Sequence, residues 1–321
     1  MPAMTPRSEK QILVIHPGAL GDVLQAVPAL RALRAAGGRL SFAGQPRLAG
    51  FLTDAGAAQA ALGFDALRLE ALFTDEPLPP SLSERLAHFD HVVSWFGSQT
   101  AVYRRRLSEI VGDAVIAPPA PRPGEPITVW RHLLETLGLP GAEVRTAPLE
   151  PPEPWSAAAR RALEELSARR DRPLLLIHPG AGAVWKRPPV SLLAEAIQSA
   201  TRDRVVEILI HQGPADAEAA GQLATVLGAQ VLRLIEPELP LLAGILRGAT
   251  AYIGSDSGVS HLAAAVGAPS VILFPPSTRA QWEPWSATAV AIEVKDGAAW
   301  VEEAGEAARS RLGAGPAPRM G

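Results

Sequence analysis

The chain has 321 residues, 47% of them hydrophobic and 5% aromatic, with a formal net charge of −3 and no cysteine. That length accommodates two domains or one large one, and the apolar share is enough for sizeable cores. The missing cysteine excludes disulfides, thiolate zinc sites and cysteine nucleophiles, and the charge balance supplies no global basic field for nucleic acid.

Residues 1–10 are polar, and the apolar run behind them, residues 12–15, is too short for a signal peptide. No run approaches the roughly 18 apolar residues of a spanning helix. The expectation is a cytoplasmic chain, with peripheral membrane contact left open. Only three of the 30 basic residues are lysines, Lys10, Lys186 and Lys295. A lysine inside a motif therefore has a specific reason, and a compact, rotatable ammonium is one.

In chain order, residues 12–15 form a buried-strand pattern followed by His16-Pro17-Gly18-Ala19-Leu20-Gly21-Asp22. Val23, Leu24, Val27, Leu30 and Leu33, spaced near 3.6, predict one helix. Gly37-Gly38 ends it, and residues 40–43 predict the second strand. This β-turn-α-β order opens a parallel sheet. Its turn lacks the G-x-G-x-x-G spacing, so a dinucleotide fingerprint is not supported. Asp22 stands in the first helical turn at the carboxyl end of strand one, the edge where open α/β sheets bind ligands. Two roles stay open for it: a general base, or an acid that complements the helix dipole.

Residues 48–90 read as helices and short strands with a proline-rich turn at residues 77–80. Residues 91–96 predict a strand and Gly97-Ser98-Gln99 a strand-end loop. Arg104-Arg105-Arg106 follow, either to meet an anionic acceptor or as a solvated helix face. His88 and His91 have no third ligand nearby, which argues against a metal site. Proline-rich segments at 117–126 and 147–154 flank a predicted helix over 130–139. The second segment marks the expected boundary between domains 1–152 and 153–312, with a disordered Gly/Pro/Ala tail over 313–321. Residues 156–169 predict a charged amphipathic helix.

Residues 174–181, L-L-L-I-H-P-G-A, repeat I-L-V-I-H-P-G-A at 12–19. Two such openings imply two sheet domains of one design. A third strand, 208–210, ends in His211. Each of these histidines reads by itself as a buried, hydrogen-bonded residue. Beyond the second repeat, Gly182, Trp185, Lys186 and Arg187 place a lysine in a strand-end loop, where it can bind phosphate as a point charge, though not in the Walker A spacing. Asp216 and Glu218 could bond ribose hydroxyls or serve as helix N-terminal acids. A last strand-turn-helix-strand unit covers 252–274. Its turn, Ser255-Asp256-Ser257-Gly258, meets a helix start where Asp256 or Ser257 can cap and Gly258 lets a ligand approach. Free N–H groups there favour an anion such as a diphosphate, within reach of His261. A plain capped helix with a core histidine is the other reading.

Together these pieces resemble glycosyltransferase family 9, the ADP-heptose:lipopolysaccharide heptosyltransferases. The matching motifs are G-A-L-G-D-V-L-Q-A-V-P-A-L from Gly18, H-P-G-A-x₄-K-R from His178, G-P-A-D-A-E from Gly213, D-S-G-V-S-H-L-A-A-A-V-G-A-P from Asp256, and F-P-P-S-T-R-A-Q-W-E-P-W from Phe274. The resemblance covers about residues 11–290. It implies a GT-B fold of two Rossmann-like parallel-sheet domains facing across a cleft, acceptor on the N-terminal side and nucleotide sugar on the C-terminal side. Asp22 then falls on the family's general base, and Lys186, with Arg187 and Gly180 in the same motif, on the phosphate-binding loop. Asp216 falls on the ribose-associated acid. Asp256, Ser257, Gly258 and His261 fall on the segment that holds the diphosphate and sugar. Gly18, Gly21, Arg104 and Arg105 are the acceptor-side candidates.

The implied activity is inverting heptosyl transfer from ADP-heptose to a lipopolysaccharide-core or related glycan or glycolipid, in the cytoplasm, with peripheral contact on the cytoplasmic face of the inner membrane left open. No D-x-D occurs, which fits a metal-independent mechanism without a cofactor. Two departures stand out: Pro188-Pro189 where the family commonly has tryptophan, and Pro275-Pro276-Ser277 where it has Gly-Pro-Thr. The alternatives are a nucleotide-sugar-binding protein without turnover and a transferase with another donor.

Overall fold

The computed structural model describes residues 9–139, 146–295 and 297–313. Residues 1–8, and 314–321 of the expected tail, lie outside the described residues. Gly313 does not belong to such a tail, because it ends the helix Ala299–Gly313. The chain divides into two compact units: Met1–Glu125 with Val129–Arg145, and Pro126–Thr128 with Thr146–Gly321.

The first unit contains β1 (Lys10–Ile15), β2 (Gly38–Gly44), β3 (Ala60–Gly63), β4 (His91–Ser94) and β5 (Ala114–Ile116). They pair in the order β3-β2-β1-β4-β5, every neighbour parallel. Parallel strands lie between helical layers and are apolar on both faces. This is why Leu13, Val14 and Ile15 are all fully buried. Leu13 and Ile15 share one core with Leu67, Val92 and Leu107.

The single helix expected after β1 is two helices, Leu20–Gln25 and Val27–Ala35, parted at Ala26. Pro28 explains the break. It has no N–H to give the Leu24 carbonyl, and it sits in the first turn of the second helix, where that loss is tolerated. The Ala26 N–H turns instead to the Val23 carbonyl at 3.1 Å.

The second unit contains β6 (Leu174–His178), β7 (Glu207–Gln212), β8 (Leu232–Ile235), β9 (Ala251–Ser255), β10 (Ser270–Phe274) and β11 (Ala289–Glu293). The order is β11-β10-β9-β6-β7-β8, again all parallel. In both sheets the chain winds outward from its first strand, then returns to that strand's other side. The reversal falls between β1 and β4 in one unit and between β6 and β9 in the other. Such reversals open a crevice at the carboxyl ends of the two strands.

Two expectations shift here. His211 lies inside β7 rather than behind it. The helix expected over 156–169 is Glu153–Glu165, because Pro154 fits its first turn and the proline-rich segment leads straight into it. That helix packs on the helix Leu239–Gly248 at Gly244. A Cβ on Gly244 would lie 2.5 Å from the Trp155 carbonyl oxygen. Backbone cannot yield as a side-chain tip does, so Gly244→Ala is expected to cost about 1–3 kcal/mol in urea unfolding. An unchanged midpoint would show that the two helices are free to part.

Candidate functional site

In the first unit, the loop leaving β1 carries Asp22 in a fixed local frame. The Ala19 N–H donates to Asp22 Oδ2 at 2.8 Å, which occupies one carboxylate oxygen at the helix start. The Gly18 N–H donates to His16 Nδ1 at 3.3 Å, and the Gln45 amide donates to the Gly18 carbonyl at 3.2 Å. Gly18 is required by close approach: a Cβ there would sit 2.7 Å from Asp22 Cβ. Gly21 is the second residue of the helix Leu20–Gln25. His16 is buried and lies edge-on to Trp95 of the β4 exit, with ring centroids 5.7 Å apart. Burial pushes its pKa down to about 4, against a smaller upward pull from the Asp22 backbone.

The three arginines have three different fates. The Arg104 guanidinium donates to the Ser98 carbonyl at 2.8 Å, holding the strand-end loop. Arg105 is exposed and pairs with Asp75 and Glu109. Arg106 is buried and donates to the carbonyls of Ala71, Thr74 and Glu76, which makes it part of the frame.

In the second unit, the β6 and β9 exits converge on one ion pair. A short turn, Val184–Lys186, follows β6. It brings Lys186 Nζ to 2.8 Å from Asp256 Oδ2. Asp256 is 2% exposed. Its His261 neighbour lies with Nε2 at 3.9 Å from Asp256 Oδ1. Burial lowers the His261 pKa to about 4, the Asp256 charge raising it less, so the ring is neutral near pH 7. The helix behind them is Gly258–Ala265, and its cap is Ser257, whose Oγ accepts the Ser260 N–H at 3.3 Å. Asp256 is thus left for Lys186. Gly258 is the first helical residue.

A second cluster lies beside it. The Asp216 carboxylate pairs with Arg187 at 3.3 Å and is buried. Arg187 also donates to the Ala181 and Ala215 carbonyls. The carboxylate lies against Gly180, where any Cβ would overlap it. Asp216 precedes the helix Ala217–Leu227 without capping it by its side chain. Glu218 is exposed in the first turn of that helix.

The residue pattern did not foretell two contacts. His178 and His211 touch, Nδ1 to Nδ1 at 3.0 Å, and burial lowers their pKa values to about 4 and about 3. One ring therefore donates to the other. Their shared position at neighbouring strand ends was the available signal. Trp185 and Trp282 flank the Lys186 ammonium, with ring centroids at 5.7 and 5.9 Å. Nothing in the spacing linked two tryptophans so far apart. Pro275, where a glycine was expected, stands just before the helix Pro276–Trp282 that delivers Trp282.

The two doubly wound parallel sheets define a GT-B glycosyltransferase fold. A glycosyltransferase family 9 structure from Veillonella parvula superimposes with a TM-score of 0.73 at 18% identity, covering 94% of this chain and 97% of that one. The Escherichia coli ADP-heptose LPS heptosyltransferase II gives 0.71 at 17%, covering 95% and 98%. The family model described as glycosyltransferase family 9 (heptosyltransferase) matches residues 123–306. The chain belongs to that family. Lipopolysaccharide heptosyltransferase 3 of Escherichia coli is 26% identical over 161 residues. That match spans 48% of this chain and 45% of the relative, less than half the length of either.

The buried histidines set a pH dependence. The pKa values of His16, His178, His211 and His261 lie well below the ordinary 6.5. Below pH 6.5 the unfolded chain binds protons that the folded chain refuses. Stability is therefore full above pH 6.5 and falls as the pH drops toward 4. Between pH 6.5 and 5, before carboxylates protonate, urea stability should fall steeply, by about 1 kcal/mol per pH unit for each such histidine at the lower end. His211→Gln should flatten the slope, and a flat wild-type profile would refute the neutral state of these histidines.

Proposed function

We propose that this chain is an inverting glycosyltransferase that moves a heptose from ADP-heptose to a lipopolysaccharide-core or related glycan. The observation that carries the reading is the Lys186–Asp256 ion pair, 2.8 Å long, at a capped helix start. An ammonium and the free N–H groups of Gly258–Ala265 suit the donor diphosphate, whose charge grows as it leaves. Asp256 can accept from sugar hydroxyls, with Lys186 offsetting its repulsion of the phosphates. The Asp216–Arg187 pair serves the ribose side of the site. The fold likeness to the E. coli ADP-heptose LPS heptosyltransferase II supports the donor and the acceptor class.

In this reading Asp22 takes the proton from an acceptor hydroxyl. That oxygen forms a bond to the anomeric carbon from the side opposite the diphosphate. The carbon–oxygen bond to the diphosphate breaks, ADP keeps the electron pair, and the configuration inverts. Gly18 and Gly21 give the acceptor-side loop its close turn; Arg104 braces that side through the Ser98 carbonyl, and the exposed Arg105 can exchange Asp75 and Glu109 for an anionic acceptor. A glycolipid acceptor places the protein peripherally on the cytoplasmic face of a membrane. Among the described residues no helix is long and apolar enough to cross one.

Titration calorimetry with ADP, UDP, GDP and ADP-heptose, without and with magnesium, tests the donor. ADP and ADP-heptose should bind without magnesium, and Lys186→Ala should weaken both at least tenfold. A preference for UDP or GDP would move the function to another donor. For the chemistry, Asp22→Asn should lower kcat about 10²–10⁴-fold while leaving ADP-heptose affinity within about twofold. Full turnover in that variant removes Asp22 as the base. Donor binding with no transfer to any acceptor would leave a binding protein instead.

A further inference from the structure

The nucleotide reading uses only the carboxyl ends of the second sheet. A cavity of about 780 Å³ lies at the other edge. Leu174 and Glu207, which line it, are the first residues of β6 and β7, and Pro269 directly precedes β10. At roughly 3.3 Å per residue, the five residues of β6 put this cavity about 16 Å from the Lys186 exit. Its volume lies within the roughly 300–1,000 Å³ of small-molecule sites.

The lining has two chemistries. Leu163, Leu174, Ile245 and Pro269 supply an apolar wall. Five arginines also line it, Arg160, Arg161, Arg169, Arg170 and Arg247, against two carboxylates, Glu164 and Glu207. Arg170 pairs with Glu164, and Glu207 with Arg172. Three more of the arginines are tethered by carboxylates outside the lining, Arg160 by Glu153, Arg169 by Asp171 and Arg247 by Glu150. Those outer carboxylates are exposed, and pairs of this kind contribute only about 0–1 kcal/mol. An entering anion can therefore compete for the arginines. Arg161 is exposed and has no ion pair among the described residues. Ser156, 5% exposed, also lines the cavity, and its buried Oγ has no hydrogen-bond partner among the described residues. A buried hydroxyl without a partner is costly unless a ligand or water supplies one.

We infer that this cavity binds a small anionic amphiphile, with its apolar body against Leu163, Leu174 and Ile245 and its phosphate or carboxylate head on Arg161 and the neighbouring guanidiniums. A purely polar anion would leave the wall uncovered, and a neutral apolar ligand would leave Arg161 without a counterion. The inference is independent of the donor assignment, since ADP is placed at the opposite edge.

The test is calorimetric titration of the full chain with monomeric dodecyl phosphate, dodecanol and inorganic phosphate, each with and without saturating ADP. Dodecyl phosphate should bind once per chain, at least tenfold more tightly than either fragment, and ADP should not displace it. Gly248→Leu and Arg161→Glu should each weaken it at least tenfold while leaving ADP affinity unchanged. Gly248 lies at the cavity, and a Cβ there has nothing within 4 Å, so the leucine enters open space. Equal binding of dodecanol, equal binding of phosphate, displacement by ADP, or full affinity in both variants would each overturn the assignment. ADP binding in the same samples reports separately on folding and on the nucleotide site.

Discussion

Parallel pairing is the constraint on which both units depend. When every strand of a sheet runs the same way, every strand ends at the same edge, and each connection must cross back over a face. The crossing helices bury both faces, which is why residues 12–15 of β1 and 174–177 of β6 are apolar without alternation. The strand ends are then the only places where polar side chains gather without crossing the core. His16 and Trp95 meet at one reversal, and Lys186 and Asp256 at the other.

At the second reversal, one charge pair governs the local chemistry. Asp256 is buried, and a buried carboxylate without a partner is expensive. Removing the partner of a buried pair costs about 3–5 kcal/mol; less applies here, because the Lys186 side chain is 23% exposed. That partial exposure leaves the ammonium accessible while its position is held by Asp256 and by two indole faces. The capping of Gly258–Ala265 by Ser257 frees Asp256 from backbone duty. A hydroxyl caps as well as a carboxylate does, so the division of labour follows from which side chain the turn points inward.

The Asp216–Arg187 pair shows the same economy of space. The carboxylate fits only because Gly180 has no side chain, and Gly213 would crowd it too, with a Cβ 2.7 Å from Asp216 Oδ2. The histidines beside it are neutral, so they fill the core as polar but uncharged groups and leave the Arg187 charge to Asp216. The amino edge of the same sheet also holds a buried carboxylate, Glu207, which pairs with Arg172 at 2.9 Å. Three of the cavity's arginines, Arg160, Arg169 and Arg247, are instead tethered outward to exposed carboxylates, and the space between them stays open.

The residues by themselves determined much of this. The repeated I-H-P-G-A pattern set two sheets of one design, and Asp22, Lys186 and Asp256, each within a few residues of a glycine, marked the strand exits, because strand ends and helix starts are local chemistry. Local pattern misjudged the helix after β1, where Pro28 outweighed an unbroken apolar period. It also treated Arg104, Arg105 and Arg106 as one cluster, although helical geometry sends the three to different partners. Only tertiary structure decided that Ser257 caps while Asp256 pairs, that His178 meets His211, that Trp185 and Trp282 bracket one lysine, and that a cavity opens at the far edge. Each of these joins residues from separate strands or loops. Their distances are set by how strands order and helices pack, and no spacing along the chain encodes that.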